Sequence, residues 1–185
     1  MDIQSKVIVF LVVSVGFVWL SRRSLRNIRA HGFYRFFAFE SILALILLNL
    51  DCWFDAPLSG RQVISWLLLA ASGALVFYSF LVLRRMGRPG RERDDPSLTG
   101  VERTTRLVTR GPYRYIRHPI YSAGVIGTWG VFFKQPSWAS SCLAVIVTIF
   151  FTMTARVEEA ENIHFFGDEY RDYMKKTRMF IPFLF

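Results

Sequence analysis

Five apolar runs, at 7–20, 33–50, 63–83, 120–133 and 138–155, leave this chain few ways to fold. A helix needs about 20 residues to cross roughly 30 Å of hydrocarbon. The second, third and fifth runs approach or exceed that length, and the first and fourth fall short of it. Together they predict an all-α integral membrane protein of five transmembrane helices, followed by a cytoplasmic C-terminal helix.

The basic residues test that count. The chain of 185 residues carries 23 Lys and Arg against 14 Asp and Glu, a net charge of +9, with 52% hydrophobic residues. A nucleic-acid binder spreads such an excess over a soluble surface. Here it is packed between apolar runs, so a bilayer is the expected partner and nucleic acid is not. Arg22, Arg23, Arg26, Arg29 and Arg35 join the first two runs without an acidic residue, and ten arginines lie from Arg84 to Arg117. The connection holding Asp51 and Asp55 and the turn at Lys134 are poor in basic residues. Positive loops stay in the cytoplasm. The alternation places the N-terminus outside, and the large basic loop and the C-terminus inside. No small-residue cleavage site follows the first run, which reads as an uncleaved anchor.

Other signals are sparse. Cys52 and Cys142 form no CxxC, and His31, His118 and His164 are scattered, so neither a disulfide framework nor a metal site is expected. Glu40 is costly within an apolar run; the reading favoured is an interfacial pair with Arg35, with a buried functional role as the alternative. The stretch "MGRPGRERDDPSLTG", 86–100, has turn signals at Pro89-Gly90 and Asp95-Pro96. No nucleotide-binding glycine loop, HExxH or GxSxG is present.

Chemistry concentrates in two stretches. In "RLVTRGPYRYIRHPIYSAG", 106–124, Pro119 suits a first helical position and His118 ahead of it should be extended. The N–H groups of Ile120 and Tyr121 then point out of the helix start, where a carboxylate or phosphate is favoured. Gly124, Gly127 and Gly130 bare one strip of helix, open to a neighbouring helix or a flat ligand. In "ARVEEAENIHFFGDEYRDYMKKTRMFIPFLF", 155–185, Glu159, Ile163, Phe166, Tyr170 and Tyr173 share one helical face. A carboxylate heading aromatic rings can bind a cation; an interfacial amphipathic helix is the alternative. The doublet Glu158-Glu159 at the membrane exit points to function.

"GPYRYIRHPIYSAG" followed one span later by "RVEEAENIHFFGDEYRDYMKKTRMFIPF" resembles the C-terminal half of the isoprenylcysteine carboxyl methyltransferase family, related to membrane phospholipid methyltransferases. The resemblance divides the chain into a three-span region, 1–104, and a methyltransferase core, 105–185. It implies S-adenosylmethionine as cofactor, held between the cytoplasmic ends of the last two spans and the C-terminal helix, and an amphiphilic or lipid-linked methyl acceptor arriving from the bilayer. Carried over by position, the cofactor wall comprises Thr105, Arg106, Leu107, Val108, Tyr113, His118, Pro119, Ile120, Tyr121 and Glu158, with Tyr170 added. The family's acceptor-handling arginine falls at Thr154; here Arg156 stands two residues later, about 200° around the helix. Asn162 replaces a common leucine. Arg156, orienting an acceptor carboxylate, and Glu159, a base for an amine acceptor, are the catalytic candidates. The implied activity is O-methylation of a prenylcysteine-like carboxylate. Phospholipid N-methylation is the alternative, and an NADPH-dependent reductase of steroid-reductase type ranks below both.

Overall fold

A computed structural model describes residues 1–87 and 104–182. The described residues form six α-helices: α1 (Ile3–Ser21), α2 (His31–Asn49), α3 (Gly60–Met86), α4 (Pro119–Phe132), α5 (Trp138–Phe166) and α6 (Asp168–Lys176). The turn signals at Pro89-Gly90 and Asp95-Pro96 lie outside them.

Four helices, Ile3–Ser21, His31–Cys52 with its terminal turn, Gly60–Met86 and Trp138–Phe166, are long and apolar enough to cross a membrane. The fourth apolar run gives a helix of only 14 residues. At 1.5 Å per residue it extends about 21 Å, short of the hydrocarbon thickness. Pro119 fixes its start, and the turn at Lys134 and Pro136 ends it. The fifth run, by contrast, continues without a break through Glu158 and Glu159 to Phe166. The expected C-terminal helix is therefore two pieces. Gly167, at φ +61°, takes a backbone conformation that side-chain-bearing residues rarely adopt, and the chain turns there into α6.

Packing interleaves the two halves of the sequence. α2 packs chiefly on α5, and α3 on α4. The glycine strip of α4 faces neighbouring helices: a Cβ on Gly124 would lie 2.7 Å from the Phe151 ring, and one on Gly127 2.7 Å from Ser72 Oγ. Ser72 and Ser65 of α3 donate to the carbonyls of Ala123 and Gly130, both at 2.7 Å. Small residues and hydroxyls of this kind let helix backbones approach closely in lipid. Beneath α4, Tyr121, Phe151, Val147, Ala155 and Ala38 form a buried cluster.

Two polar residues differ from expectation. Glu40 sits midway along α2 and accepts from Ser14 Oγ of α1 at 2.6 Å, so its partner is the neighbouring helix, not Arg35. Lys134, which reads as a loop cation, is wholly buried at the far end of α4. Its ammonium donates to Gln62 Oε1 at 2.9 Å and lies 3.3 Å over the Trp66 ring. There the amide and the ring replace lost water.

Candidate functional site

The start of α4 forms one wall of a cleft. His118 is its N-cap, at φ −122° and ψ 60°, short of the extended conformation expected ahead of a proline, with Pro119 in the first turn, as proline's missing N–H and fixed φ favour. The segment before it is clamped to the residues that follow α6. Arg117 N–H donates to Arg178 O at 2.8 Å, His118 N–H to Met179 O at 3.2 Å, and Arg178 N–H to Tyr115 O at 3.0 Å. Ser122 Oγ adds a 2.9 Å bond to Phe180 O. The terminal segment thus fixes the helix start from outside.

The last turns of α5 supply carboxylates, each with its own partner. Glu158 Oε2 accepts from Tyr121 OH at 2.7 Å and lies 3.8 Å from His118 Nδ1. Glu159 is buried and accepts from Arg117 Nε at 2.5 Å. The same guanidinium donates to Thr177 O at 2.5 Å, so it bolts α5 to the chain leaving α6. His118 Nε2 is 3.4 Å from Glu159 Oε1, yet it is buried without a directional hydrogen bond. This nitrogen faces the Glu159 carboxylate that Arg117 also holds. Tyr121 stacks between His118 and Phe151, with ring centroids 5.5 Å away on each side.

The third wall is α6. Tyr170 and Tyr173 are buried, and Tyr173 OH donates to Tyr113 O at 2.6 Å. Asn162 hydrogen-bonds Tyr170 across the Gly167 break. Burial pushes both phenols well above their ordinary range, so they serve as neutral groups. Phe166 stacks on Tyr170 at 6.4 Å.

These walls line an open cleft whose empty space, including the part continuous with solvent, is about 690 Å³. Of the residues anticipated from sequence, Leu107, Val108, Tyr113, His118, Pro119, Ile120, Tyr121, Glu158 and Tyr170 line it. Thr105 and Arg106 do not. Glu159 stands behind the lining, committed to Arg117. Arg156 is exposed and away from the cleft, as its two-residue offset on the helix dictates, while Thr154 is buried and bonds Phe150 O within its own helix. Of the face expected from Glu159 to Tyr173, Phe166, Tyr170 and Tyr173 reach the cleft across the break at Gly167, whereas Glu159 and Ile163 do not.

The lining also holds Leu83, Thr104, Arg117, Asn162, Phe166 and Tyr173. Arg117, adjacent to His118, reads in the sequence as one more cytoplasmic charge. Its neighbour was the available signal. Leu83 comes from the end of α3, and nothing in sequence spacing marks it.

Comparison with known proteins gives the same location a family. The description "Phospholipid methyltransferase" matches residues 61–169, more than half of the chain. Methanethiol S-methyltransferase 1 of Bradyrhizobium diazoefficiens is 32% identical over 115 residues, covering 60% of this chain and 39% of that protein. Protein-S-isoprenylcysteine O-methyltransferase of Homo sapiens is 32% identical over 123 residues, 65% of this chain and 43% of that protein. Its Schizosaccharomyces pombe counterpart is 37% identical over 79 residues, 42% of this chain and 34% of that protein. The chain spans about two fifths or less of the length of these relatives. The matched stretch includes α3, α4, α5 and the whole carboxylate-bearing turn, and on this match the chain belongs to the phospholipid methyltransferase family.

Proposed function

We propose that this protein transfers the methyl group of S-adenosylmethionine to an acceptor carried in the bilayer. The observation that carries the reading is the opposition, in one cleft, of a helix N-terminus capped by His118 and the Glu158 carboxylate, with aromatic rings between. The donor has a carboxylate, an ammonium and a sulfonium. The helix start suits the first. Glu158 suits the ammonium or a ribose hydroxyl, and Tyr121, Tyr170 and Phe166 suit a cation against ring faces. When bound, the donor supplies an electrophilic methyl group whose sulfur loses its positive charge on transfer. The chain's own contribution is to hold donor and acceptor in line and to keep water out.

The acceptor reading rests on what each polar group is already doing. Glu159 is held by Arg117, so it is poorly placed to take a proton from an ammonium acceptor. Arg156 lies outside the cleft and is not assigned to an acceptor carboxylate. An acceptor that is already an anion, a carboxylate as in a prenylcysteine-like group or a thiolate, needs no base from the protein. The O- and S-methyltransferase names of the relatives agree with that class. In this reading α4 is the fourth of five membrane helices, short and paired with the long α5. The N-terminus is outside and the cleft is cytoplasmic, formed mainly from residues 105–185.

Calorimetry of the detergent-purified protein tests the donor. S-Adenosylmethionine and S-adenosylhomocysteine are expected to bind, and NADPH is not. Binding of NADPH with neither adenosyl ligand would assign the cleft to reductase chemistry instead.

A further inference from the structure

Asn162 is the one side-chain amide among the described residues that line the cleft. At 8% exposure it is enclosed, yet it borders the open space. Glu158, Asn162 and Phe166 follow one another at four-residue steps and line the cleft from one face of α5. At 1.5 Å per residue, each step is about 6 Å along the helix. That face therefore runs from a carboxylate, through an amide, to an aromatic ring.

The other walls are ordered in the same way. Charge gathers at Glu158, where His118 Nδ1 lies 3.8 Å from the carboxylate and Arg117 is the preceding residue in the chain. The Tyr121 ring belongs to that end too, because its hydroxyl donates to Glu158 at 2.7 Å. Past Asn162 the cleft is aromatic: Phe166 stacks on Tyr170, with ring centroids 6.4 Å apart. The Tyr173 hydroxyl is turned to Tyr113 O at 2.6 Å. Asn162 hydrogen-bonds Tyr170, which steadies the amide between the charged end and the aromatic one. The two N–H donors and the carbonyl of an amide suit a pair of hydroxyls, which themselves both donate and accept.

We propose that Asn162 binds the ribose hydroxyls of the adenosyl donor and so sets the direction in which the donor lies. The amino-acid group then meets the helix start and Glu158, the ribose meets Asn162, and the base lies against Phe166 and Tyr170. The inference rests on the methyl-donor reading and adds a ribose contact to it. Amino acid, ribose and base follow one another in this order along the ligand, as carboxylate, amide and rings do along α5. Of the two roles open to Glu158, partner of the ammonium or of the ribose, this assigns the first. An ammonium gains from a full negative charge, whereas a neutral diol is matched by a neutral amide.

The test compares S-adenosylhomocysteine with its 2′-deoxy and 3′-deoxy analogues by calorimetric titration. The wild type should bind at least one analogue about three- to tenfold more weakly than the parent, as loss of a hydrogen bond between neutral groups predicts. In Asn162→Leu, similar in size but unable to hydrogen-bond, that penalty should shrink to about twofold or less, because the partner is already gone. Asn162→Ala, which cannot overpack the site, should give the same result. Glu158→Gln and Tyr170→Phe should bind the parent more weakly and keep the penalty. An equal penalty in the wild type and both Asn162 variants overturns the inference. So does a penalty lost in Glu158→Gln, which would move the ribose to that carboxylate, or one lost in Tyr170→Phe, which would leave Asn162 a support for the tyrosine. Absence of any penalty in the wild type overturns it as well. If the wild type binds none of the three ligands, the methyl-donor reading fails and takes this inference with it.

Discussion

At the scale of single residues, Tyr121 joins the helix start to the carboxylate turn. Its hydroxyl donates to Glu158 and its ring lies between His118 and Phe151. A hydrogen bond to a charged group contributes roughly 1.5 to 3 kcal/mol. Tyr121→Phe should therefore weaken S-adenosylhomocysteine binding by about tenfold while the ring keeps its packing, and Arg156→Ala should leave that affinity unchanged. Equal effects of the two substitutions in a titration would contradict the placement of the cleft. Much of this was legible in the sequence. The RHPIY run and the glutamate doublet each have a reason in helix-start chemistry or charge. The division of labour within the doublet was not. Glu158 and Glu159 are neighbours in sequence, and only the position of Arg117 decides which one meets the cleft and which is held behind it. The pairing of His31 with Glu161 was equally hidden, because 130 residues separate them.

At the scale of elements, the five apolar runs located α1 to α5 among the described residues, but not that the fifth helix continues to Phe166 or that α6 is a separate helix. A run of apolar residues predicts burial without saying whether a helix continues beyond the lipid. Thus α5 extends to Phe166, and only the positive φ of Gly167 separates it from α6. The glycine strip of α4 left two readings open, and the structure assigns it to packing. Gly124 abuts Phe151, a ring that is itself buried against Tyr121 and Phe39. Gly124→Val should overpack that contact, at a cost of about 1 to 3 kcal/mol. The outcome to measure is a lowered detergent unfolding temperature together with weaker adenosyl-ligand binding, since displacement of Phe151 disturbs the Tyr121 stack. An unchanged unfolding temperature would mean that α4 and α5 are not in contact as described.

At the scale of the whole molecule, the site is assembled from elements far apart in the chain. α3 brings Leu83, α4 its N-terminus, α5 its carboxylate turn and α6 its tyrosines. The terminal segment at 178–180 then binds the strand-like stretch at 115–118 and closes the arrangement. The opposite end of α4 is held separately, by Lys134 enclosed between Gln62 and Trp66. A division at residue 104 is therefore a division of motifs more than of packing, since α3·α4 and α2·α5 contacts cross it. The central claim is that His118 and Glu158, on two helices, hold one ligand between them. Its most direct measurement is calorimetric titration of S-adenosylhomocysteine into the wild type, His118→Ala and Glu158→Gln, with folding checked by thermal unfolding of each. Each substitution removes a hydrogen bond to a charged group, so each should weaken binding by about tenfold or more with the unfolding transition retained; wild-type affinity in both folded variants would contradict the account.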